Sequence, residues 1–214
     1  MSAFIVIEGL EGAGKSTVIA AVIAFLQEKG NEVIATREPG GTPMAEAIRE
    51  CVKHDWHNET VTQETELLLM YAARSQLVHN VIKPALQDKK FVVGDRHDMS
   101  SVAYQGGGRQ VPLSTLAQLK EMTLHQFTPQ FTLYLDIEPS VGLARARGRG
   151  ELDRIEQAGL DFFERARATY LEQIALLKQN NPNSACLIDA HQTVDEVRQQ
   201  VLESLSIWYA KEYE

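Results

Sequence analysis

A chain of 214 residues suits one α/β domain, spanning 1–214, with room for a full hydrophobic core. Its formal charge of −8 provides no general basic field, which argues against a nucleic-acid partner. Cys51 and Cys186 are too few for a disulfide framework, no apolar run reaches the ~18 residues of a membrane span, and no signal peptide is recognisable, so the expectation is a cytoplasmic protein without membrane contact.

The first predicted element is a buried strand over 4–7, made of Phe4, Ile5, Val6 and Ile7. Directly after it comes Gly9-Leu10-Glu11-Gly12-Ala13-Gly14-Lys15-Ser16-Thr17, which fits G-x-x-x-x-G-K-[ST]. Glycines let the backbone wrap so that N–H groups converge on phosphate oxygens. Lys15 adds a positive charge and Ser16 a hydroxyl for Mg²⁺. A helix is predicted over 18–29, where Val18, Ile19, Val22, Ile23 and Leu26 share a face. The strand before the loop and the helix after it are the context that gives the motif its meaning.

Further strands are predicted over 32–35, 91–94, 131–136 and 185–188, alternating with helical patterns, so the sheet should be parallel with helices on both faces. A short helix over 43–53 is followed by an aperiodic loop over 54–62. A long helical pattern covers 63–87, with a kink or restart at Pro84. Residues 105–109, Gln-Gly-Gly-Gly-Arg, read as a flexible loop. Helices then follow over about 113–124, from Pro139 onward, 161–178 and 193–211.

Open α/β sheets bind ligands beyond the carboxyl ends of their strands. Glu8 with the glycine loop, Arg37-Glu38-Pro39-Gly40-Gly41 and Asp95-Arg96-His97-Asp98 all fall at such ends. Asp95 and Asp136 each end an apolar strand and compete as the acidic residue that holds Mg²⁺. Asp95 is favoured because Arg96 follows it, whereas Asp136 precedes a helix start and could cap it. Glu11, inside the glycine loop, would be repelled by triphosphate oxygens and is expected to point toward the acceptor. Arg74 reads either as a surface charge or, with Tyr104 and Gln105, as part of a base pocket. Arg145 and Arg147 could merely complement a helix dipole. Arg149, between Gly148 and Gly150, sits where a helix should fail, as a closing lid requires.

These segments, together with Tyr71-Ala72-Ala73-Arg74, Ala103-Tyr104-Gln105-Gly106 and Arg149-Gly150-Glu151-Leu152-Asp153-Arg154, resemble the thymidylate kinase family. The resemblance implies a P-loop nucleoside-monophosphate kinase fold: a five-stranded parallel sheet flanked by helices, with a mobile lid at about 145–159. It also implies the reaction ATP + dTMP → ADP + dTDP with Mg²⁺, in dTTP biosynthesis. Residues Gly9 to Thr17 would hold ATP phosphates, with Ser16 and Asp95 at the metal. Lys15, Arg96, Arg149 and Glu11 would carry catalysis. Arg96 would bridge donor and acceptor phosphates, and Glu11 would face the deoxyribose 3′-hydroxyl. Arg37, Pro39, Met70, Arg74, Ser101, Tyr104 and Gln105 would hold dTMP, Arg74 bonding the base. Some members carry an arginine directly after the acidic residue of the loop. Gly12 stands there in this chain, which therefore resembles the bacterial subgroup that supplies the charge from the lid, Arg149 being the match. Many members have Phe at the position of Met70. The family is typically homodimeric. An acceptor phosphate is already a nucleophile, so no general base is expected. Within the same class, the competing reading is a kinase for another nucleoside monophosphate. A guanine-nucleotide switch is disfavoured because neither N-K-x-D nor D-x-x-G occurs in the chain.

Overall fold

The computed structural model describes residues 1–148 and 153–214; Arg149 and its neighbours 150–152, the centre of the predicted lid, lie outside the described residues. The strands are β1 (Phe4–Gly9), β2 (Val33–Arg37), β3 (Phe91–Asp95), β4 (Phe131–Asp136) and β5 (Ala185–Asp189). They form an all-parallel sheet in the order β2-β3-β1-β4-β5. The described helices are α1 (Lys15–Glu28), α2 (Pro43–Lys53), α3 (Gln63–Leu77), α4 (Lys83–Gln87), α5 (Asp98–Ser101), α6 (Leu113–Leu124), α7 (Pro139–Arg147), α8 (Leu160–Asn180) and α9 (Val194–Tyr213). Each predicted strand is present; four of the five end one or two residues later than their apolar runs. The extra residues are polar or Gly, and they carry the pairing up to the site.

The central strands are covered on both faces, so they read as continuous apolar runs. Phe4 and Val6 pack with Leu77, Ile82, Val92 and Leu124 on one face. Ile5 and Ile7 turn the other way, into the larger cluster with Val22, Leu26 and Val93. Register then sets the site. Ile7 pairs with Asp95, and Arg37 pairs with the same Asp95. Glu8, Arg96 and Glu38 thus follow at one level of the sheet. Because β1 lies between β3 and β4, the chain leaving it crosses over β3 to reach β2, and the glycine loop sits at this switch in direction.

Pro84 marks an interruption, as expected. A wide π turn, Val78–Ile82, precedes α4 and continues from α3. A proline cannot donate the usual i→i−4 bond, and the helix widens ahead of it. Residues 105–109 correct the sequence reading. Instead of a flexible loop, Val102–Gly108 form a π-helix with Ala103, Tyr104, Gln105 and Gly106 buried. None of its three glycines has a positive φ. They are there for close packing: a Cβ on Gly107 would meet the Thr169 side chain and lie 2.9 Å from the Arg165 carbonyl, and one on Gly108 would run into the Phe162 ring. Small residues let this helix lie against α8, and the Arg165 Nη2 donates to the Gly108 carbonyl at 2.9 Å.

Gly107→Ala should therefore destabilise the fold by about 1–3 kcal/mol through overpacking. Gly159→Ala, whose Cβ would meet nothing within 4 Å, should stay within about 0.5 kcal/mol. Urea unfolding of both variants measures the difference.

Candidate active site

The glycine loop turns on two left-handed glycines, Gly12 (φ 74°) and Gly14 (φ 88°). Gly12 lies against the Gly142 carbonyl of α7, so closely that any side chain there would collide with backbone. α1 starts at Lys15 with no acidic side chain in its first turn, leaving its N-terminus open to an anion. The Lys15 ammonium donates to the carbonyls of Gly9 (3.3 Å) and Leu10 (3.5 Å) and lies 4.0 Å from Asp95 Oδ1. Burial pushes its pKa down to about 8, with Arg96 adding to the effect and Asp95, Glu11 and Glu8 opposing it.

A cavity of about 250 Å³ opens beyond these strand ends. From the loop it is lined by Glu11, Gly12, Gly14, Lys15 and Ser16. Leu10 and Ala13 turn into the core instead, and Gly9 and Thr17 complete the loop without lining the cavity. Among the expected acceptor residues, Arg37, Pro39, Met70, Arg74, Arg96, Ser101, Tyr104 and Gln105 all line it, as does Asp95. The structure brings the two expected halves of the site together.

Arg96 is the centre of the arrangement. Its backbone is held at φ 72°, a conformation that is rare outside glycine and recurs at functional sites. Nη2 donates to Glu11 Oε1 (2.7 Å) and Tyr104 OH (3.0 Å), while Nη1 donates to Ser100 Oγ and Tyr170 OH, both at 3.2 Å. Tyr104 OH in turn donates to Glu11 Oε2 at 2.6 Å. Glu11 is thus held by Arg96 and Tyr104, both of which line the cavity.

Arg74 is no surface charge: it is 2% exposed. Its Nε donates to Glu38 Oε2 at 2.6 Å, and Nη2 donates to Ser101 Oγ (2.9 Å) and the His97 carbonyl (3.1 Å). Burial alone would raise the Glu38 carboxyl; Arg74 and His97 outweigh it and hold the pKa below the usual range. Nη1 of Arg74 makes no hydrogen bond, but it is ion-paired with Asp98 Oδ1 at 3.7 Å, and the side chain lines the cavity. Gln105 Nε2 donates to Glu66 Oε1 at 2.9 Å. Glu66 also accepts from Arg109 and, at 2.7 Å, from Arg154, which commits Arg154 to structure. Arg145 is likewise engaged, its Nη1 donating to the Ala190 carbonyl at 3.2 Å.

Asp136 neither caps α7 nor faces the cavity. The cap position of α7 is Glu138, without a side-chain bond, and Asp136 is gripped by Arg167 through two bonds of 2.8 and 2.9 Å. Asp95 differs: its Oδ1 is buried with no hydrogen-bond partner, and Ser16 lines the same cavity. One carboxylate oxygen without a hydrogen bond, 4.0 Å from the Lys15 ammonium, and one hydroxyl fit Mg²⁺, which takes few protein ligands and completes its shell with phosphate and water.

Glu8 and Glu38 were placed at strand ends from sequence but given no role, and Glu66, Ser100 and Tyr170 were not singled out. Glu38 carried a signal, its place in the segment after β2; Tyr170 carried none. Arg49 and Lys53, four apart on α2, also line the cavity, and that spacing was visible in the sequence.

A parallel sheet with this loop at its switch point, and one cavity lined by the loop, Arg74 and Arg96, is the architecture of a P-loop nucleoside-monophosphate kinase. The thymidylate kinase family profile matches residues 7–201. The chain is similar to a thymidylate kinase of Alteromonas mediterranea, 60% identical over 93% of this chain and 87% of the relative. It is also similar to those of Vibrio campbellii (55%, covering 97% of each chain) and Pseudoalteromonas translucida (53%, covering 98% of each). The chain belongs to the thymidylate kinase family.

Lys15 allows a check of the site's electrostatics. Its folded pKa of about 8 lies below its unfolded value, so the unfolded chain binds more protons between about pH 8 and 10.5 and this group makes stability rise with pH there. Lys15→Met should raise Tm at pH 7, and the gain should shrink by pH 10; thermal unfolding at both pH values tests the sign.

Proposed function

We propose that this chain transfers the γ-phosphoryl group of ATP to the phosphate of dTMP, giving ADP and dTDP on the route to dTTP. The observation that carries the reading is one cavity lined by the glycine loop with Lys15, by Arg74 and by Arg96. Family membership gives the substrate pair its support.

An oxygen of the dTMP phosphate attacks the γ-phosphorus, and the bond from that phosphorus to the β,γ-bridging oxygen breaks, ADP taking the electron pair. The nucleophile is anionic at neutral pH, so no side chain needs to remove a proton. The protein's task is to hold two anions in line and neutralise their charge. Backbone N–H groups of the loop from Gly9 to Thr17 and the Lys15 ammonium hold the ATP phosphates. Arg96 reaches both phosphates. Glu11 faces the sugar 3′-hydroxyl beside Tyr104, while Arg37, Pro39 and Ser101 border the acceptor. Arg74 donates to the base, Gln105 lies beside it and Met70 packs on it with a polarizable surface. Mg²⁺, held by Ser16 and Asp95, would supply charge neutralisation between the phosphates. Arg149 is the lid cation, proposed from its place between two glycines. Lys15, Arg96, Arg149 and Glu11 make up the catalytic set.

The same reading makes residues 1–214 one kinase domain, cytoplasmic and homodimeric. The apolar run 67–70 of α3, in which Leu68 is 55% exposed, is compatible with a helix-packed dimer. No helix among the described residues is long and apolar enough to cross a membrane.

An acceptor panel of dTMP, dUMP, UMP, CMP and AMP with ATP, read by coupled ADP release, tests the function; dTMP should be preferred, and preference for a ribonucleotide would overturn the reading. Glu11→Gln should raise KM for dTMP roughly tenfold or more, as loss of a charged hydrogen bond does, and leave KM for ATP nearly unchanged. Arg149→Ala should lower kcat on the order of a thousandfold with little change in dTMP affinity, since a lid arginine acts in the transition state. A rise in KM at unchanged kcat would count against that role.

A further inference from the structure

Glu8 is fully buried and has no part in the reaction just described. Its oxygens are nonetheless fully used. Oε1 accepts from the His97 backbone N–H at 2.8 Å; Oε2 accepts from Ser100 Oγ at 2.6 Å and from Tyr170 OH at 2.9 Å. Those two hydroxyls are the ones that accept from Arg96 Nη1.

Proton counting makes this chain directional. Each hydroxyl has one proton, and Arg96 can only donate. For Nη1 to be satisfied, both hydroxyls must turn lone pairs toward it and send their protons elsewhere. The hydroxyls lie 2.7 Å from each other, so one could donate to the other, but the chain still ends on Glu8. We propose that Glu8 is a positioning residue for Arg96: by taking the hydroxyl protons of Ser100 and Tyr170 it fixes the plane of the guanidinium that meets the transferring phosphoryl group. The inference rests on the proposed role of Arg96.

A glutamine at this position has nearly the same shape and fails in either orientation. With its carbonyl toward the hydroxyls, its NH₂ meets the His97 N–H. Flipped, its NH₂ donates to the hydroxyls and drives their protons at Arg96. Protonating Glu8 has the same effect as the flipped amide. Burial raises its pKa above the usual carboxylate value, opposed by Ser100, Arg96, His97 and Tyr170. The titratable and charged groups facing it are Arg96, Tyr170 of α8, Tyr134 of β4 and Lys15 of α1. Both tyrosines have raised pKa values, burial being the main cause, so none of these groups titrates in acid.

The test is kcat, with KM for ATP and Tm, for Glu8→Gln, Ser100→Ala, Tyr170→Phe, the Glu8→Gln/Tyr170→Phe pair and Arg96→Ala. Glu8→Gln should lower kcat about 10–100-fold and leave KM for ATP within about threefold. Tyr170→Phe should add less than about threefold in the Glu8→Gln background, because both act through one guanidinium. A Glu8→Gln enzyme within about threefold of the parent kcat, a KM for ATP that rises in step with the fall in kcat, or effects that multiply independently would each overturn the proposal. Should Glu8→Gln fail to fold, full kcat in both Ser100→Ala and Tyr170→Phe would overturn it equally. Full activity in Arg96→Ala removes the reading beneath the proposal. Loss there with normal Glu8→Gln, Ser100→Ala and Tyr170→Phe removes only the role of Glu8.

Discussion

The structure depends on burying guanidinium groups at the ends of parallel strands and answering almost every one of their donors. Arg74 and Arg96 are taken out of bulk water, and a buried cation is tolerated only when paired and hydrogen-bonded. Glu38 answers Arg74 directly; Glu11 answers Arg96 directly, and Glu8 answers it through two hydroxyls. Such pairs contribute little net stability compared with apolar side chains of similar volume. They do fix where charge sits before any substrate arrives, and preorganised charge is what phosphoryl transfer needs.

Sheet register makes the pairing possible. Ile7, Asp95 and Arg37 lie at one level, so a single further step along three strands brings Glu8, Arg96 and Glu38 together. The Arg96 N–H donates to the Ile7 carbonyl at 3.0 Å, and the Glu38 N–H donates to the Asp95 carbonyl at 2.9 Å, which extends the ladder into the site. A slip of one residue would exchange faces for every side chain of a strand. The same apolar alternation that buries Phe4 and Val6 therefore aims Glu8.

Local constraints were legible in the sequence and long-range ones were not. The glycine loop could be read because its phosphate-binding geometry is encoded in nine consecutive residues. Strand cores could be read because burial on both faces leaves unbroken apolar runs. Arg74 stayed ambiguous, since its burial depends on Glu38, 36 positions away. The role of Tyr170 depends on Glu8 across 162 positions, and no local pattern announces it. The three glycines at 106–108 were misread because glycine serves flexibility and close packing alike. Only the neighbouring helix, with Phe162 and Thr169, decides between them.

The two sides of Arg96 differ in a way that suits a group meeting substrate. On the Nη2 side the carboxylate of Glu11 is 14% exposed and borders the cavity; on the Nη1 side Glu8 is sealed. An incoming phosphate can compete with Glu11 for the guanidinium because solvent and ligand reach that contact. Glu8 is fully buried and meets the guanidinium only through two hydroxyls. One side of the arginine is therefore exchangeable and the other fixed. With both sides exchangeable, Arg96 would lose its orientation whenever a substrate bound; with both sealed, it could not take up a phosphate. The left-handed backbone at Arg96 belongs to this compromise, since it turns the side chain back over the strand ends, where the two carboxylates hold it.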